Sequence, residues 1–145
     1  MHTPSTPDPR LDQIIDCLYR VASKAIILQD KRLLIVKEPE GWYGLPGGGI
    51  DHGQDALQSL VRELREEIGV ELDPTSIHPN PVCAYVGGSI KAIPRVTLYY
   101  RVDVPSDFSP RSQELTYRWA DRSELGSIQL GPNIELARDK LTALL

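Results

Sequence analysis

The clearest hydrophobic pattern in the chain lies between residues 56 and 68 and predicts an amphipathic helix. At an advance of about 100° per residue, the apolar positions fall within an arc of about 140°; they are Ala56, Leu57, Leu60, Val61, Leu64 and Ile68. Gly69 follows the last of them and predicts a left-handed C-cap. Glu63, Glu66 and Glu67 share an arc of about 100° that overlaps the edge of the apolar stripe. The helix therefore carries three carboxylates at the border between core and solvent.

The rest of the chain alternates short apolar runs with turn-forming residues. The i, i+3, i+4, i+7 spacing predicts a short helix over residues 11–18, and a second helix closes the chain over residues 132–145 with Pro at its first turn. Strands are predicted over residues 21–28, 32–37, 82–86, 95–104 and 115–120, with a polar loop over residues 105–113. Residues 1–9 are rich in proline and predict a flexible tail. The pattern predicts one α/β domain over residues 10–145, with a mixed β-sheet between helices.

Composition narrows the class of protein. A formal net charge of −4 argues against a stable nucleic-acid binder, although a small nucleotide ligand remains compatible with it. Cys17 and Cys83 fit no metal-ligand spacing and are expected to be ordinary thiols in a reducing compartment. The sequence shows neither a signal peptide nor an apolar run long enough to cross a membrane, so a cytoplasmic protein is expected.

Glycines crowd the segment before the acidic helix. They are Gly41, Gly44, Gly47, Gly48, Gly49 and Gly53. Such a cluster indicates a loop with unusual backbone angles that approaches another group closely. Backbone carbonyls beside carboxylates suit a hard, oxygen-coordinated cation, and Mg²⁺ favours carboxylates together with substrate phosphates. On the acidic helix alone, a solvated face in which Arg62 pairs with Glu66 explains the charges equally well.

The segment Gly48–Val70 resembles the signature of the Nudix hydrolases. That signature is a glycine, five residues, Glu, seven residues, and then Arg-Glu-apolar-x-Glu-Glu-x-Gly-apolar. Aligned on Arg62, the chain matches every fixed position except the first Glu, where Gln54 stands. The preceding run from Tyr43 to Gly48 also resembles the aromatic-x-Leu-Pro-Gly-Gly lead-in of the family. A pattern with so many fixed gaps is a strong signal.

The resemblance implies a Nudix-type α/β/α sandwich and a metal-dependent hydrolysis of nucleoside diphosphate derivatives. It assigns Mg²⁺, with Mn²⁺ as a substitute, to the three helix acids and the carbonyl of Gly47. It counts Arg62 among the catalytic residues, and also Glu114, which lies where several members place an additional acid. Water would attack phosphorus directly, because no Ser/His or Cys/His pairing accompanies the acids. The general base is left open among Glu63, Glu66 and Glu114.

Other residues are candidates for substrate binding. Lys37, Arg95 and Arg101 lie in strand segments and could meet phosphate, although a surface ion pair is the simpler expectation for any one of them. Trp42 and Tyr43 could stack on a base, or one of them could pack the glycine loop onto the sheet.

Gln54 raises the main alternative. An amide supplies no charge to a metal and accepts no proton, but its oxygen can accept a hydrogen bond from Arg62. One alternative is therefore a nucleotide-binding sensor that keeps the Nudix fold and lacks turnover. A second is an interaction module with an acidic helix, which leaves the glycine loop unexplained. Whether the chain forms a homodimer is open.

Overall fold

The protein has a mixed four-stranded sheet at its centre. The computed structural model describes residues 9–13, 17–87, 93–111 and 116–145. The strands of this sheet, in spatial order, are β5 (Gly47–Gly49), β1 (Arg20–Ile26), β7 (Arg95–Arg101) and β6 (Cys83–Val86). β1 and β7 are parallel, whereas β5 and β6 are antiparallel to their neighbours. The predicted mixed sheet is confirmed.

A second, antiparallel sheet extends the first and was not predicted. It consists of β2 (Leu28–Gln29), β3 (Arg32–Lys37), β4 (Tyr43–Gly44) and β8 (Tyr117–Ala120), with β3 paired to the other three. Within the glycine-rich segment, β4 and β5 belong to different sheets. The segment predicted to be a loop therefore contains two short paired strands.

Helices cover opposite faces of this β layer. They are α1 (Ala56–Ile68), α2 (Arg122–Ser127), α3 (Pro132–Glu135) and α4 (Arg138–Ala143). Neighbouring strand residues point to different cores: Ile27 packs in the cluster with α1, whereas Ile26 packs in the cluster with α2, α3 and α4. An α/β architecture with helices on both faces is thus confirmed.

Several predicted boundaries were wrong. The closing helix is interrupted at Leu136 and Ala137, and α2 was missed. Within the first predicted helix, residues 11–13 belong to a 3₁₀ segment over Pro9–Gln13, residues 17 and 18 lie outside any helix, and residues 14–16 lie outside the described residues. The strand predicted over residues 95–104 ends at Arg101. Residues 1–8, Leu115 and part of the predicted polar loop lie outside the described residues.

The turn between β2 and β3 contains two residues in the left-handed region. Asp30 and Lys31 have φ of 50° and 58°. A two-residue hairpin turn of this kind favours glycine at its second position, because a Cβ costs energy at positive φ. We expect Lys31→Gly to raise the free energy of unfolding by about 0.5–1 kcal/mol, measured by urea denaturation. Arg32→Gly, in the adjoining extended strand, should lower it, and a Lys31→Gly protein less stable than wild type would contradict this reading.

Candidate active site

Helix α1 carries the acidic cluster and is capped at both ends as its sequence requires. The Asp55 side chain accepts a hydrogen bond from the backbone N–H of Gln58, and Gly69 closes the helix with φ of 74°. Leu60, Leu64 and Ile68 are completely buried beneath the helix. The predicted start, end and buried face of α1 are confirmed. This anchoring fixes the direction in which its acids project.

The three acids differ in exposure along the edge of the buried stripe. The Glu63 side chain is 19% exposed and that of Glu66 is 56% exposed. Arg62 lies between them: its Nη2 is 3.2 Å from Glu63 Oε1 and its Nη1 is 3.4 Å from Glu66 Oε2. Arg62 therefore holds two of the acids on one side of the helix.

The glycine segment lies directly against these acids. The Cα of Gly48 is so near Glu63 that an added Cβ would be 2.8 Å from the carboxylate carbon. The backbone N–H of Gly47 donates to Glu67 Oε2 at 2.9 Å. Gly47 has φ of 131°, and an added Cβ would lie 2.2 Å from the Ser23 carbonyl oxygen. Only glycine lets the chain run between β1 and α1 at this point.

Glu67 is the electrostatically strained member of the cluster. Burial is the main cause that raises its pKa to about 7, and the charges of Glu63 and Glu38 act in the same direction. The Gly47 N–H and the ammonium of Lys24 act in the opposite direction. A carboxyl group with this environment is sensitive to any positive charge placed beside it.

Lys24 is a site residue that sequence reasoning missed. It lies on β1 opposite Gly47, is only 8% exposed, and its Nζ donates to the Gly47 carbonyl oxygen at 3.0 Å. Burial lowers its pKa, whereas the charges of Glu38, Glu67 and Glu63 oppose that change. The available signal was a lone cation in the middle of an apolar strand, since lysine is almost never buried without a partner.

A cleft opens on the other side of Lys24. Its volume is about 290 Å³, and its lining includes Lys24, Glu38, Trp42, Arg95 and Asn133. The Nε of Arg95 is buried and has no hydrogen-bond partner among the described residues. Burial and the nearby Arg20 lower the Arg95 pKa. The cleft thus places an incompletely satisfied guanidinium and an indole ring next to the acidic cluster.

The other predicted substrate residues are placed differently. Tyr43 packs against the core cluster beside α2, α3 and α4, which agrees with the packing role expected for one of the two aromatic residues. Lys37 and Arg101 are exposed and do not line the cleft, and Arg101 pairs with Asp103 at 3.4 Å. Glu114 lies outside the described residues. Of the five substrate candidates, the structure brings Trp42 and Arg95 together.

Comparison with known protein families identifies the family of this chain. The model of the NUDIX domain matches residues 18–145, which include the glycine segment, α1 and the cleft. The chain belongs to the Nudix family. It is 40% identical over 53 residues to an uncharacterised Nudix hydrolase, YvcI, of Bacillus subtilis (strain 168), covering 37% of this chain and 34% of that protein. It is 41% identical over 61 residues to an RNA pyrophosphohydrolase of Ruthia magnifica, covering 41% of this chain and 34% of that protein. These matches thus span about a third of the length of each relative.

Solved structures, among them a NUDIX hydrolase, resemble the fold over most of its length. The solution structure of the E. coli ORF135 protein superposes with a TM-score of 0.72 at 22% identity, covering 88% of this chain and 91% of that one. A MutT NUDIX hydrolase from Burkholderia pseudomallei gives a TM-score of 0.66 at 26% identity, covering 84% and 97%. The Nudix fold and the membership of a hydrolase family are therefore established.

The departure from the Nudix signature lies in a local turn. The side-chain Oε1 of Gln54 accepts a hydrogen bond from the backbone N–H of Asp51 at 3.3 Å. The backbone N–H of Gln54 donates to the backbone carbonyl of Asp51 at 3.1 Å. The hydrogen bond expected from Arg62 is not formed, because Arg62 pairs with Glu63 and Glu66. Gln54 lines a separate hollow of about 700 Å³ with His52 and Tyr19. The amide thus shapes the entry to α1 and does not contact the acids.

The donor atoms around Gly47 are chemically suited to a divalent metal. Within the described residues, no three Asp, Glu, His or Cys side chains are already arranged to hold an ion. The carboxylates instead contact Arg62 and the Gly47 N–H. All candidate donors are oxygen atoms, and the pKa of Glu67 is raised by burial beside like charges, which a cation would relieve. Because the donor types fit, a cation would engage Glu63, Glu66, Glu67 and the Gly47 carbonyl.

Proposed function

We propose that this Nudix protein hydrolyses a diphosphate linkage in a nucleoside diphosphate derivative with the help of Mg²⁺, for which Mn²⁺ can substitute. The observation that carries the proposal is the partly buried Glu67, which accepts a hydrogen bond from the Gly47 N–H at 2.9 Å and lies near the charge of Lys24, a residue that also lines the cleft. The carboxylates of α1 and a cleft that contains the cations Lys24 and Arg95, together with Glu38 and Glu40, thus meet at Lys24. A diphosphate with its metal needs both kinds of charge.

Each part of the site has a role in this chemistry. Glu63, Glu66, Glu67 and the Gly47 carbonyl would hold the metal, which when bound supplies charge neutralisation and a polarised water. Arg62 keeps Glu63 and Glu66 on one side of α1. These positions favour hydrolysis by water at phosphorus, with the base open among Glu63, Glu66 and Glu114.

The cleft provides the contacts for the substrate. Arg95 lines the cleft, where its guanidinium would bind a phosphate oxygen, and its buried Nε has no hydrogen-bond partner within the described part of the chain. Trp42 lines the same cleft with its indole ring beside Gly131, where a base could stack. Lys37 and Arg101, which do not line the cleft, stay predictions for phosphate binding. Relatives in the family include a nucleoside triphosphatase, NudI, of Enterobacter sp. (strain 638), 27% identical over 97 residues, which supports a small nucleotide as the class of substrate.

No described helix is both long and apolar enough to span a membrane. The cytoplasmic location and the absence of stable nucleic-acid binding stay predictions. Whether the chain forms a homodimer stays open.

The alternative of a nucleotide sensor without turnover rests on Gln54. Comparison of wild type with Gln54→Glu distinguishes it from an active hydrolase. Because Gln54 bonds only within its turn in the described structure, we expect Gln54→Glu to change kcat/KM by no more than about tenfold, the equivalent of ~1.4 kcal/mol. The assay follows the two phosphorylated products, a nucleoside monophosphate and a phosphorylated remainder, formed from a panel of nucleoside diphosphate derivatives with Mg²⁺. Gln58→Glu, on the exposed first turn of α1, is the matched control. Turnover that appears only in Gln54→Glu would establish the sensor, and no turnover in either protein would favour an interaction module.

A further inference from the structure

We propose that Lys24 is a resident cation that competes with the divalent metal for the Gly47 carbonyl and the acids of α1. The inference rests on the proposed function, because it concerns the same metal. It adds a residue that the Nudix signature segment does not contain and assigns it a role in controlling when the metal binds.

The position of Lys24 is fixed by strand register. Lys24 of β1 lies opposite Gly47 of the antiparallel β5, so its side chain starts directly beside the glycine segment. Its Nζ is 3.0 Å from the Gly47 carbonyl oxygen, and only 8% of the residue is exposed. The ammonium therefore occupies the immediate surroundings of an oxygen that the metal would use.

The charges around Lys24 are those of the proposed metal site. Glu38, Glu67 and Glu63 all favour its positive form. Glu63 and Glu67 are also proposed metal ligands, and Glu67 is held by the N–H of the same Gly47 whose carbonyl Lys24 holds. Two cations beside one set of donors repel each other, and this repulsion is large where solvent is excluded. A metal ion can bind tightly only if the ammonium moves.

The cleft is a second location that the ammonium group of Lys24 can occupy. Lys24 also lines the cleft that contains Arg95, and its four-carbon stem is flexible. An anionic group bound in the cleft would attract the ammonium away from the Gly47 carbonyl. Metal and anionic substrate would then strengthen each other's binding, since coupling between two ligands is reciprocal.

The alternative role for Lys24 is purely structural, and it predicts the opposite effect. If Lys24 only orients the Gly47 peptide for metal binding, then removing it misplaces a ligand and weakens the metal. If Lys24 competes, then removing its charge tightens metal binding in the absence of any substrate. The sign of the change in metal affinity separates the two roles.

The experiment measures Mn²⁺ binding to the free protein by the electron paramagnetic resonance signal of unbound Mn²⁺. We expect Lys24→Met to lower the Mn²⁺ Kd at least about tenfold, as removal of a like charge beside a bound cation should. Lys24→Gln, which removes the charge but keeps a hydrogen-bond donor, should behave in the same way. Lys24→Arg, which keeps the charge, should not tighten binding. Lys140→Met, on exposed α4, removes an equal charge away from the site and should leave the Kd unchanged.

Thermal unfolding provides a second measurement of metal binding and shows whether each variant is folded. The increase in Tm caused by Mg²⁺ should be larger for Lys24→Met and Lys24→Gln than for wild type, because tighter binding to the native state raises Tm more. An unchanged or weaker Mn²⁺ Kd in both neutral variants, with wild type binding Mn²⁺, would overturn the role of Lys24 and leave the proposed function intact. Absence of Mn²⁺ binding in wild type and all variants would overturn both.

Discussion

Glu67→Gln is expected to lower kcat by at least about 100-fold, or ~2.7 kcal/mol, while making the metal-free protein more stable at alkaline pH. The loss of rate follows from the proposed role of Glu67, because an amide cannot supply a negative charge to the metal. The glutamine oxygen can still accept the hydrogen bond from the Gly47 N–H. The variant should therefore remain folded with its glycine segment in place.

The gain in stability follows from the raised pKa of Glu67. Burial and the like charges of Glu63 and Glu38 raise that pKa from 4.5 to about 7. A pKa raised on folding stabilises the native state below the unfolded value, and this contribution is lost as pH rises from about 4.5 through about 7. The rise corresponds to a contribution on the order of 3 kcal/mol. Glu67→Gln carries no charge at either end of this range, so it should escape the loss.

The measurement is urea unfolding in EDTA at about pH 5 and about pH 8, together with kcat in Mg²⁺. Wild type should lose this contribution between the two pH values, and Glu67→Gln should not. Glu71→Gln, which lies on the exposed segment after α1, removes the same charge and should alter neither property. Near wild-type turnover in Glu67→Gln would instead mean that the acids of α1 form only a solvated face.

Much of this site could be predicted from the sequence because α1 is determined locally. The 3.6-residue periodicity, Gly69 and the border position of the acids all describe neighbours within a few turns of one helix. Side-chain exposures of 19% for Glu63 and 56% for Glu66 agree with this border position, and the Arg62–Glu66 pair is present, whereas the pairing of Arg62 with Glu63 was not predicted. The close approach signalled by the glycines is also present, at Gly47 and Gly48.

The contacts of Lys24 could not be predicted because they depend on long-range pairing. Lys24 and Gly47 meet only when β5 pairs with β1 in one particular register, and a glycine triplet gives no strand signal of its own. Glu38 follows a strand end in the polar run Lys37-Glu38-Pro39-Glu40, which has the composition of an exposed turn. Its effect on Lys24 and Glu67 appears only after folding.

Helix α2 was missed for a different reason. Its start has a complete capping box, in which Asp121 and Glu124 each accept a hydrogen bond from the other's backbone N–H. The helix is only six residues long and contains Gly126, so its periodicity is too short to detect. The capping residues were the available signal.

Removal of the metal is expected to have the largest effect on activity. Without a cation, the three acids of α1 would present negative charge to an anionic diphosphate. The nearby cations do not replace the metal, because Arg62 pairs with two of these acids and Lys24 donates to the Gly47 carbonyl. No polarised water and no neutralisation of the developing charge would then be available. We expect turnover in excess EDTA to fall by about 1,000-fold or more, and to return on addition of Mg²⁺ or Mn²⁺.

The most direct test of the account is hydrolysis of a nucleoside diphosphate derivative in water enriched in heavy oxygen, with one arm in Mg²⁺ and one in EDTA. The measured quantity is the heavy oxygen incorporated into the phosphate groups of the products, followed over time by mass spectrometry. We expect rapid incorporation into one phosphate product with Mg²⁺, because water attacks phosphorus, and almost none in EDTA. Equal turnover in both arms, or products whose phosphates carry no heavy oxygen, would contradict it.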